Sequence, residues 1–224
     1  MYTLIMTDGT HASTSRLPDS TPIVYVVDDD VSARESMEWL VEESGWRAET
    51  FASAREFLAQ PRARVPNCLV LDAALPDLSG LELQRRVADR PDLPVVFVTG
   101  RTDVRIIVQA MKAGAVEFLE KPVSDDAVVE ALRHALDRSR KALEREAMLS
   151  AVLGSYESLT PREREVMVLV ASGLLNKQVG SELGISEITV KAHRGQVMRK
   201  MKADSLPALV HMVDSLGLAA PSHA

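Results

Sequence analysis

Asn67-Cys68-Leu69-Val70-Leu71-Asp72 is an apolar run that ends abruptly in a carboxylate. Loop-forming residues follow at once, in the segment Ala73-Ala74-Leu75-Pro76-Asp77-Leu78-Ser79-Gly80. An apolar run of this length, bounded by turn residues, is typical of a strand that is buried on both faces of a parallel sheet. Ligands bind at the carboxyl ends of the strands in such sheets, so the position of Asp72 predicts a functional residue.

Other predicted strands also end in polar groups, which indicates that several side chains meet at the same edge of the sheet. Residues 23–27 run into Asp28-Asp29-Asp30, residues 95–98 run into Thr99-Gly100, and residues 116–119 run into Glu120-Lys121-Pro122. A weaker strand is predicted at residues 46–51. Helical patterns near residues 31–44, 54–59, 81–89, 104–113 and from 124 onwards separate these strands. This alternation predicts an α/β domain with a doubly wound, five-stranded parallel sheet.

The last of these helices shows no stop signal before Gly154. Its apolar positions form a stripe, and the part up to about Leu136 should pack on the sheet. Two interpretations remain for the part beyond Leu136: a solvated helix that joins two domains, or a seam that forms a dimer.

After Gly154 the alternation gives way to short helices, predicted near residues 161–172, 176–183, 187–202 and 206–216. Thr160-Pro161-Arg162-Glu163 is a capping box with proline at the first helical position, and Asn176, Ser186 and Ser205 are predicted N-caps. Two short helices separated by Gly184-Ile185-Ser186 indicate a helix-turn-helix in an all-α four-helix domain. The predicted organisation is a flexible tail at 1–20, the α/β domain at 21–138, a helical linker at 139–155 and the helical domain at 156–220.

Composition restricts the class of protein. The 224 residues are 46% hydrophobic and 26% charged, as in an ordinary globular chain. No apolar run reaches the roughly 18 residues of a membrane span, and residues 1–20 lack the pattern of a secretory signal. Cys68 is the one cysteine and cannot form an internal disulfide, which favours the reducing cytoplasm and a buried, inert thiol. No membrane partner is therefore expected.

The net charge of −6 hides an asymmetry between the two halves. From Tyr156 onwards eight basic residues face seven acidic ones, and five of the basic residues lie between Lys191 and Lys202 with no acid among them. A local basic helix face of this kind indicates nucleic-acid binding even in an acidic chain.

The acids at the predicted sheet edge indicate chemistry with a cation. Asp28, Asp29 and Asp72 would repel one another unless they bind a hard cation or take up protons. Few oxygen ligands and room for water suit Mg2+, which can bring a phosphoryl group to an aspartate oxygen. Lys121 and Thr99 would supply an ammonium and a hydroxyl for the developing charge.

Taken together, these motifs resemble the two-component response regulators of the NarL/FixJ type, and the resemblance covers about residues 22–215. It rests on Val26-Val27-Asp28-Asp29-Asp30, Cys68-Leu69-Val70-Leu71-Asp72, Val98-Thr99-Gly100 and Glu120-Lys121-Pro122. It continues through Leu159-Thr160-Pro161-Arg162-Glu163-Arg164-Glu165-Val166, Asn176-Lys177-Gln178-Val179 and Ser186-Glu187-Ile188-Thr189-Val190-Lys191-Ala192-His193-Arg194. The implied fold is a flavodoxin-like receiver followed by a LuxR-type helix-turn-helix domain.

For the first domain, the resemblance implies that a cognate sensor histidine kinase phosphorylates Asp72. Mg2+ would bind to Asp29, Asp72 and the carbonyl of Ala74, and to Asp28 through water. Thr99 and Lys121 would contact the phosphoryl oxygens, Phe118 would be the switch aromatic, and the Lys121–Pro122 bond would be cis. Ala74 and Arg101-Thr102 depart from common members beside this pocket, and we expect Ala74 to alter the lifetime of the phosphoryl group.

For the second domain, the resemblance implies binding to double-stranded promoter DNA. Lys191, Ala192 and Gly195 would face the bases, although Gly195 departs from the longer side chain often found there. The expected phosphate contacts are made by Lys177, Thr189, Arg194 and Arg199, which orient the protein rather than specify a sequence. Val190, Val197 and Met201 recur at helical spacing and are predicted to be core.

The predicted function is a cytoplasmic transcriptional response regulator in which phosphorylation controls homodimerisation and promoter binding. Thr99 and Phe118 would remodel the face formed by residues 104–113 and 116–119. Two rivals are an aspartyl phosphatase of the haloacid dehalogenase type and a DNA binder that does not depend on phosphorylation. The phosphatase family requires a second acid where Ala74 stands, so no turnover enzyme is expected. A dinucleotide-binding enzyme is disfavoured because no glycine-rich turn follows the first strand.

Overall fold

The computed structural model describes residues 20–100 and 103–218. The predicted tail, apart from its last residue, and the Arg101-Thr102 pair lie outside the described residues. The described residues divide into two compact units, with the boundary between Leu143 and Glu144. The predicted domain boundaries at 138 and 155 stay predictions.

The first unit is an α/β domain whose strands and helices alternate along the chain. In order, its elements are β1 (Ile23–Val27), α1 (Val31–Glu43), β2 (Arg47–Phe51), α2 (Ala54–Leu58), β3 (Asn67–Leu71), α3 (Gly80–Arg86), β4 (Val95–Thr99), α4 (Val104–Lys112), β5 (Glu117–Glu120) and α5 (Asp125–Glu157), which continues into the second unit. The five strands pair in parallel in the order β2-β1-β3-β4-β5, so the predicted doubly wound parallel sheet is confirmed.

Side chains on the two faces of this sheet build two separate cores. Val24, Val26 and Val70 face α1 and α5, where they meet Val41 and Leu132. The alternate residues of the same strands face the opposite way, because successive side chains of a strand point to opposite faces. They pack with α2, α3 and α4 around Tyr25, Leu69, Leu71, Phe57, Leu83 and Phe97.

The second unit is helical and has its own core. Its helices are α6 (Pro161–Ala171), α7 (Asn176–Leu183), α8 (Glu187–Lys200) and α9 (Leu206–Ser215). The predicted capping box is present: Glu163 N donates to Thr160 Oγ1, and Thr160 N donates to a carboxylate oxygen of Glu163. The predicted core residues Val190, Val197 and Met201 are 0%, 1% and 1% exposed, so that prediction is confirmed.

Two predictions about helix ends were wrong. Helix α5 does not end at Gly154 but continues to Glu157, because Val152 and Tyr156 pack against the core of the second unit. That burial outweighs the roughly 1 kcal/mol that a glycine costs inside a helix. Asn176 is the first residue of α7 rather than its cap. The cap position is Leu175, whose N–H donates to Gln178 Oε1.

Candidate phosphoacceptor pocket and nucleic-acid interface

Three carboxylates meet at the carboxyl ends of the adjacent strands β1 and β3. Val27 of β1 pairs with Leu71 of β3 in the sheet register. The residues that follow them, Asp28 and Asp72, therefore lie next to each other at the ends of these strands. Oxygens of Asp28, Asp29 and Asp72 lie within 4.8 Å of one another. Between β1 and β3 the strand order reverses direction, and at this point an open α/β sheet forms its ligand crevice.

Asp28 is held by the protein, whereas its two neighbours remain accessible. Asp28 is 6% exposed, and its Oδ1 accepts a hydrogen bond from Asp30 N at 2.9 Å. Its Oδ2 accepts a hydrogen bond from Lys121 Nζ at 2.6 Å. Asp29 is exposed and Asp72 is half-buried. The cluster therefore offers two accessible carboxylates to a cation, while the third is already paired with an ammonium.

Lys121 reaches the pocket from the loop after β5, and Thr99 ends the neighbouring strand β4. Lys121 N donates to Thr99 O at 2.9 Å, which ties the two strand ends together, and Thr99 is fully buried. Lys121 lines one small pocket together with Asp28 and Asp72. The expected cis bond between Lys121 and Pro122 is confirmed.

Phe118 lies on β5, at the edge of the sheet. It is half-buried, and its ring stacks on Phe97 of β4 with centroids 5.8 Å apart and an interplanar angle of 23°. Phe118 is thus partly within the core and partly accessible.

The segment from Asp72 to the start of α3 contains two residues whose role was not predicted from the sequence. Gly80, the first residue of α3, packs so closely that a Cβ there would lie 2.5 Å from the carbonyl oxygen of Asp72. Asp77 accepts hydrogen bonds from Ala54 N and Arg55 N, which tie the loop to the first turn of α2. Burial raises the pKa of Asp77, but these backbone hydrogen bonds outweigh that effect and the pKa is lowered.

Neither role could be derived from the sequence alone, because both depend on segments that are brought together by the fold. The turn residues between Pro76 and Gly80 were the one available signal, and they indicate a loop rather than a contact. The carbonyl of Ala74, the proposed metal ligand, belongs to this same loop. Ala74 N lies 3.4 Å from Asp72 Oδ1, as a weak hydrogen bond.

In the second unit, α7 and α8 form the predicted helix-turn-helix. Gly184 adopts a left-handed conformation with φ of +65°, which favours glycine and turns the chain between the helices. The backbone of Gly180 packs tightly against the turn: a Cβ at this position would lie 2.7 Å from the carbonyl oxygen of Ile185. These two glycines set how closely α7 approaches the start of α8.

Most of the predicted DNA contacts are exposed side chains on α8 or at the start of α7. The exposed members of the predicted set are Lys177, Thr189, Lys191, Ala192, Gly195 and Arg199. Arg194 differs, because it is half-buried and donates to Asn176 Oδ1 at 3.3 Å, which connects α8 to α7. The Thr189 hydroxyl lies 2.8 Å from the Ser186 hydroxyl at the helix cap.

Lys200, like Arg194, belongs to the basic segment at residues 191–202 and makes contacts within the domain. Lys200 Nζ forms an ion pair with Glu163 at 2.6 Å and donates to the carbonyl of Ser158 at 3.2 Å. The hydrogen bond from Lys200, followed by that from Thr160 N, lowers the pKa of Glu163. Lys200 thus holds α8 against α6, so fewer cations of this segment face solvent than its sequence suggests.

Comparison with known proteins matches each of the two units to a protein family. Residues 24–133 match the family described as response regulator receiver domain, and residues 157–213 match the bacterial regulatory proteins of the luxR family. Nodulation protein W of Bradyrhizobium diazoefficiens is 46% identical over 88% of each chain. Transcriptional regulatory protein FixJ of Azorhizobium caulinodans is 42% identical over 91% of this chain and 96% of its own.

A solved structure resembles both units as well. The low-resolution structure of response regulator StyR is 42% identical, covers 87% of this chain and 98% of its own, and superposes with a TM-score of 0.77. Among the helices in the part of the chain that the structure describes, none has both the length and the apolar composition needed to cross a membrane.

Proposed function

This chain belongs to the NarL/FixJ family of two-component response regulators, and we propose that Asp72 is the residue that its sensor histidine kinase phosphorylates. The observation that carries the proposal is the position of Asp72 at the end of the central strand, half-buried beside two further carboxylates and the Lys121 ammonium. An Asp72 oxygen attacks phosphorus, the P–N bond of the phosphohistidine breaks, and the leaving nitrogen keeps the electron pair.

The residues present fit a Mg2+ ion. Accessible carboxylates of Asp29 and Asp72, together with the carbonyl of Ala74, form an all-oxygen donor set of the kind that this hard cation prefers. Asp28, which is held by Lys121, would act through water. Bound there, Mg2+ would supply positive charge that offsets the negative charge of phosphoryl oxygens beside the carboxylates. Lys121 and Thr99 would contact those oxygens from the neighbouring strand ends.

Phosphorylation adds roughly −1.5 to −2 charges at neutral pH. Thr99 moves towards the new group, and Phe118 moves inwards from its half-buried position. Both changes alter the face formed by α4 and β5, through which the chain forms a homodimer that binds a two-fold promoter site. A regulator that binds promoter DNA acts in the cytoplasm, and the alanine at position 74 supports acceptor chemistry rather than enzymatic turnover.

Labelling with acetyl phosphate tests the acceptor. Wild-type protein incubated with acetyl phosphate and Mg2+ should gain one phosphoryl group and dimerise, as measured by intact mass and light scattering. Asp72→Asn should do neither, because the amide does not form the acyl phosphate. The control Asp126→Asn, on the exposed first turn of α5, should behave as wild type. Full labelling of Asp72→Asn would show that another residue is the acceptor.

For DNA, we propose that α8 lies in the major groove with Lys191, Ala192 and Gly195 facing the bases. Lys177, Thr189, Arg194 and Arg199 contact phosphates, and Arg194 does so from its place between the two helices. Lys177→Ala should weaken binding to all sequences and reduce the slope of log K against log salt by about 0.9. Lys191→Ala should instead change the preferred sequence. Equal effects of the two variants on sequence preference would contradict this division.

A further inference from the structure

Ile188, the second residue of α8, is 82% exposed, the largest value among the large hydrophobic side chains of the described residues. A single exposed apolar residue is ordinary on a protein surface. Ile188 differs because neither the fold nor the local structure accounts for it. It is not among the described side chains that pack against the core of the second unit, and isoleucine is a poorer helix former than alanine or leucine.

The position of Ile188 on α8 is informative. Ile188, Lys191, Ala192 and Gly195 follow the spacing i, i+3, i+4, i+7, which places them on one face of the helix, and all four are exposed. The opposite face carries the buried Val190 and Val197. The exposed face therefore presents, from its N-terminal end, a branched aliphatic group, an ammonium, a methyl group and bare backbone.

Small residues on this face favour a close approach to DNA. A Cβ added at Gly195 would meet nothing within 4 Å, so glycine is not required there by the fold itself. With Ala192 and Gly195 contributing little bulk, the helix can enter the groove deeply. The N-terminal residues of a recognition helix are those that reach base edges.

We propose that Ile188 is a specificity-determining residue that selects thymine through contact with the C5-methyl group. This methyl is the one apolar group that a base pair presents in the major groove. Facing a cytosine amino group or a purine edge, an isoleucine would remove water from polar atoms without replacing their hydrogen bonds. Lys191, three residues later on the same face, then binds a guanine close to that thymine. The inference rests on the proposed placement of α8 in the major groove.

Operator selection followed by replacement of single thymines tests this role. Operators are selected from a random duplex library with phosphorylated full-length protein, and each thymine of the consensus is then replaced by uracil, which lacks only the methyl group. At one thymine in each half-site, uracil should weaken binding by wild type roughly fourfold, the value of about one buried methyl-sized group. Ile188→Ala should bind the two duplexes equally, whereas Ile188→Val should retain most of the difference.

Two controls separate failure of this inference from failure of the proposed DNA contacts. Met148→Ala removes another exposed apolar side chain, on α5, and should leave the uracil effect unchanged. Lys191→Ala should alter the preferred base near the sensitive thymine. If Lys191→Ala does so but Ile188→Ala keeps the wild-type uracil effect, Ile188 does not read thymine, although α8 is the reading helix. If neither variant changes base preference, both the inference and the placement of α8 are wrong.

Discussion

The contact between Lys121 and Asp28 balances charge in the carboxylate pocket. Asp28 is 6% exposed, and the Lys121 ammonium at 2.6 Å is the cation that pairs with its Oδ2. The carboxylates of Asp29 and Asp72 are close by, so loss of the ammonium would leave three negative charges together. Like charges at this distance destabilise the folded state, and a cation that binds the cluster restores stability.

Lys121→Ala should therefore destabilise the first unit by about 1–3 kcal/mol, and Mg2+ should recover part of that loss. Urea unfolding followed by tryptophan fluorescence measures this, because Trp39 and Trp46 both lie in the first unit. Lys112→Ala, in the exposed last turn of α4, is the matched control and should change stability little. A Lys121→Ala protein as stable as wild type in EDTA would contradict this account.

The position of Gly80 has no room for a side chain, because the backbone of Asp72 and Ala73 lies against it. A Cβ at Gly80 would lie 2.5 Å from the Asp72 carbonyl oxygen and 3.0 Å from the Cα of Ala73, both backbone atoms that cannot move aside cheaply. Gly80→Ala should cost about 1–3 kcal/mol as an overpacking change and should also slow labelling of Asp72, since the acceptor backbone is displaced.

The same fluorescence experiment measures the stability of Gly80→Ala, and intact mass measures its labelling by acetyl phosphate. Gly100→Ala is the stability control, because a Cβ at Gly100 would meet nothing within 4 Å. Similar losses of stability in the two variants would show that the close contact at Gly80 is not the cause.

At the level of helices and strands, the sequence predicted elements better than it predicted their ends. The three inner strands β1, β3 and β4 could be predicted because each is a buried apolar run, whereas the edge strands β2 and β5 give a weaker signal because they carry charged residues and are only partly buried. The order of the elements followed from their alternation along the chain. Helix α5 passed through Gly154 because tertiary packing of Val152 and Tyr156 decided its length, and no local signal reports such packing. Likewise Lys200 was counted in the basic segment at residues 191–202 but was not assigned a partner, because its ion pair with Glu163 depends on how α6 and α8 pack.

That ion pair makes the second unit sensitive to acid. Hydrogen bonds from Lys200 and Thr160 lower the pKa of Glu163 below its ordinary value of about 4.5. A carboxyl whose pKa is lower in the folded state stabilises the fold above its unfolded pKa, and this contribution is lost as the pH falls through the folded pKa. Glu163→Gln should thus destabilise the unit near neutral pH by about 1–2 kcal/mol, and the difference from wild type should shrink below about pH 4.5.

Hydrogen exchange in the full chain, followed in peptides of α6 and α8 as urea is added, measures the local stability of the second unit. The rates are corrected for intrinsic exchange at each pH. Glu182→Gln, at an exposed position of α7, is the control and should leave the pH dependence as in wild type. If Glu163→Gln and wild type differ by the same amount at pH 7 and pH 3, the ion pair is not the source of the dependence.

For the molecule as a whole, two compact units support two separate tasks, and the proposed switch connects these tasks through dimerisation. The pocket lies at one edge of the sheet, and α4 follows β4, the strand that ends in Thr99. Helix α4 exposes Val104, Val108 and Met111, which are 70%, 44% and 43% accessible. Their spacing of i, i+4, i+7 forms a continuous apolar stripe, and such stripes on exposed helices mark interaction surfaces.

Val108→Asp should therefore weaken dimerisation of the phosphorylated protein while Asp72 is still labelled by acetyl phosphate. An aspartate at the centre of the stripe would be buried without a partner, which costs enough to weaken association roughly tenfold or more. Light scattering across a concentration series gives the dimer constant, and intact mass confirms labelling. Leu58→Asp, which places the same charge on the exposed side of α2, should dimerise as wild type does. If Leu58→Asp breaks the dimer and Val108→Asp does not, α2 rather than α4 carries the interface, and the route from Phe118 to dimerisation proposed above is wrong.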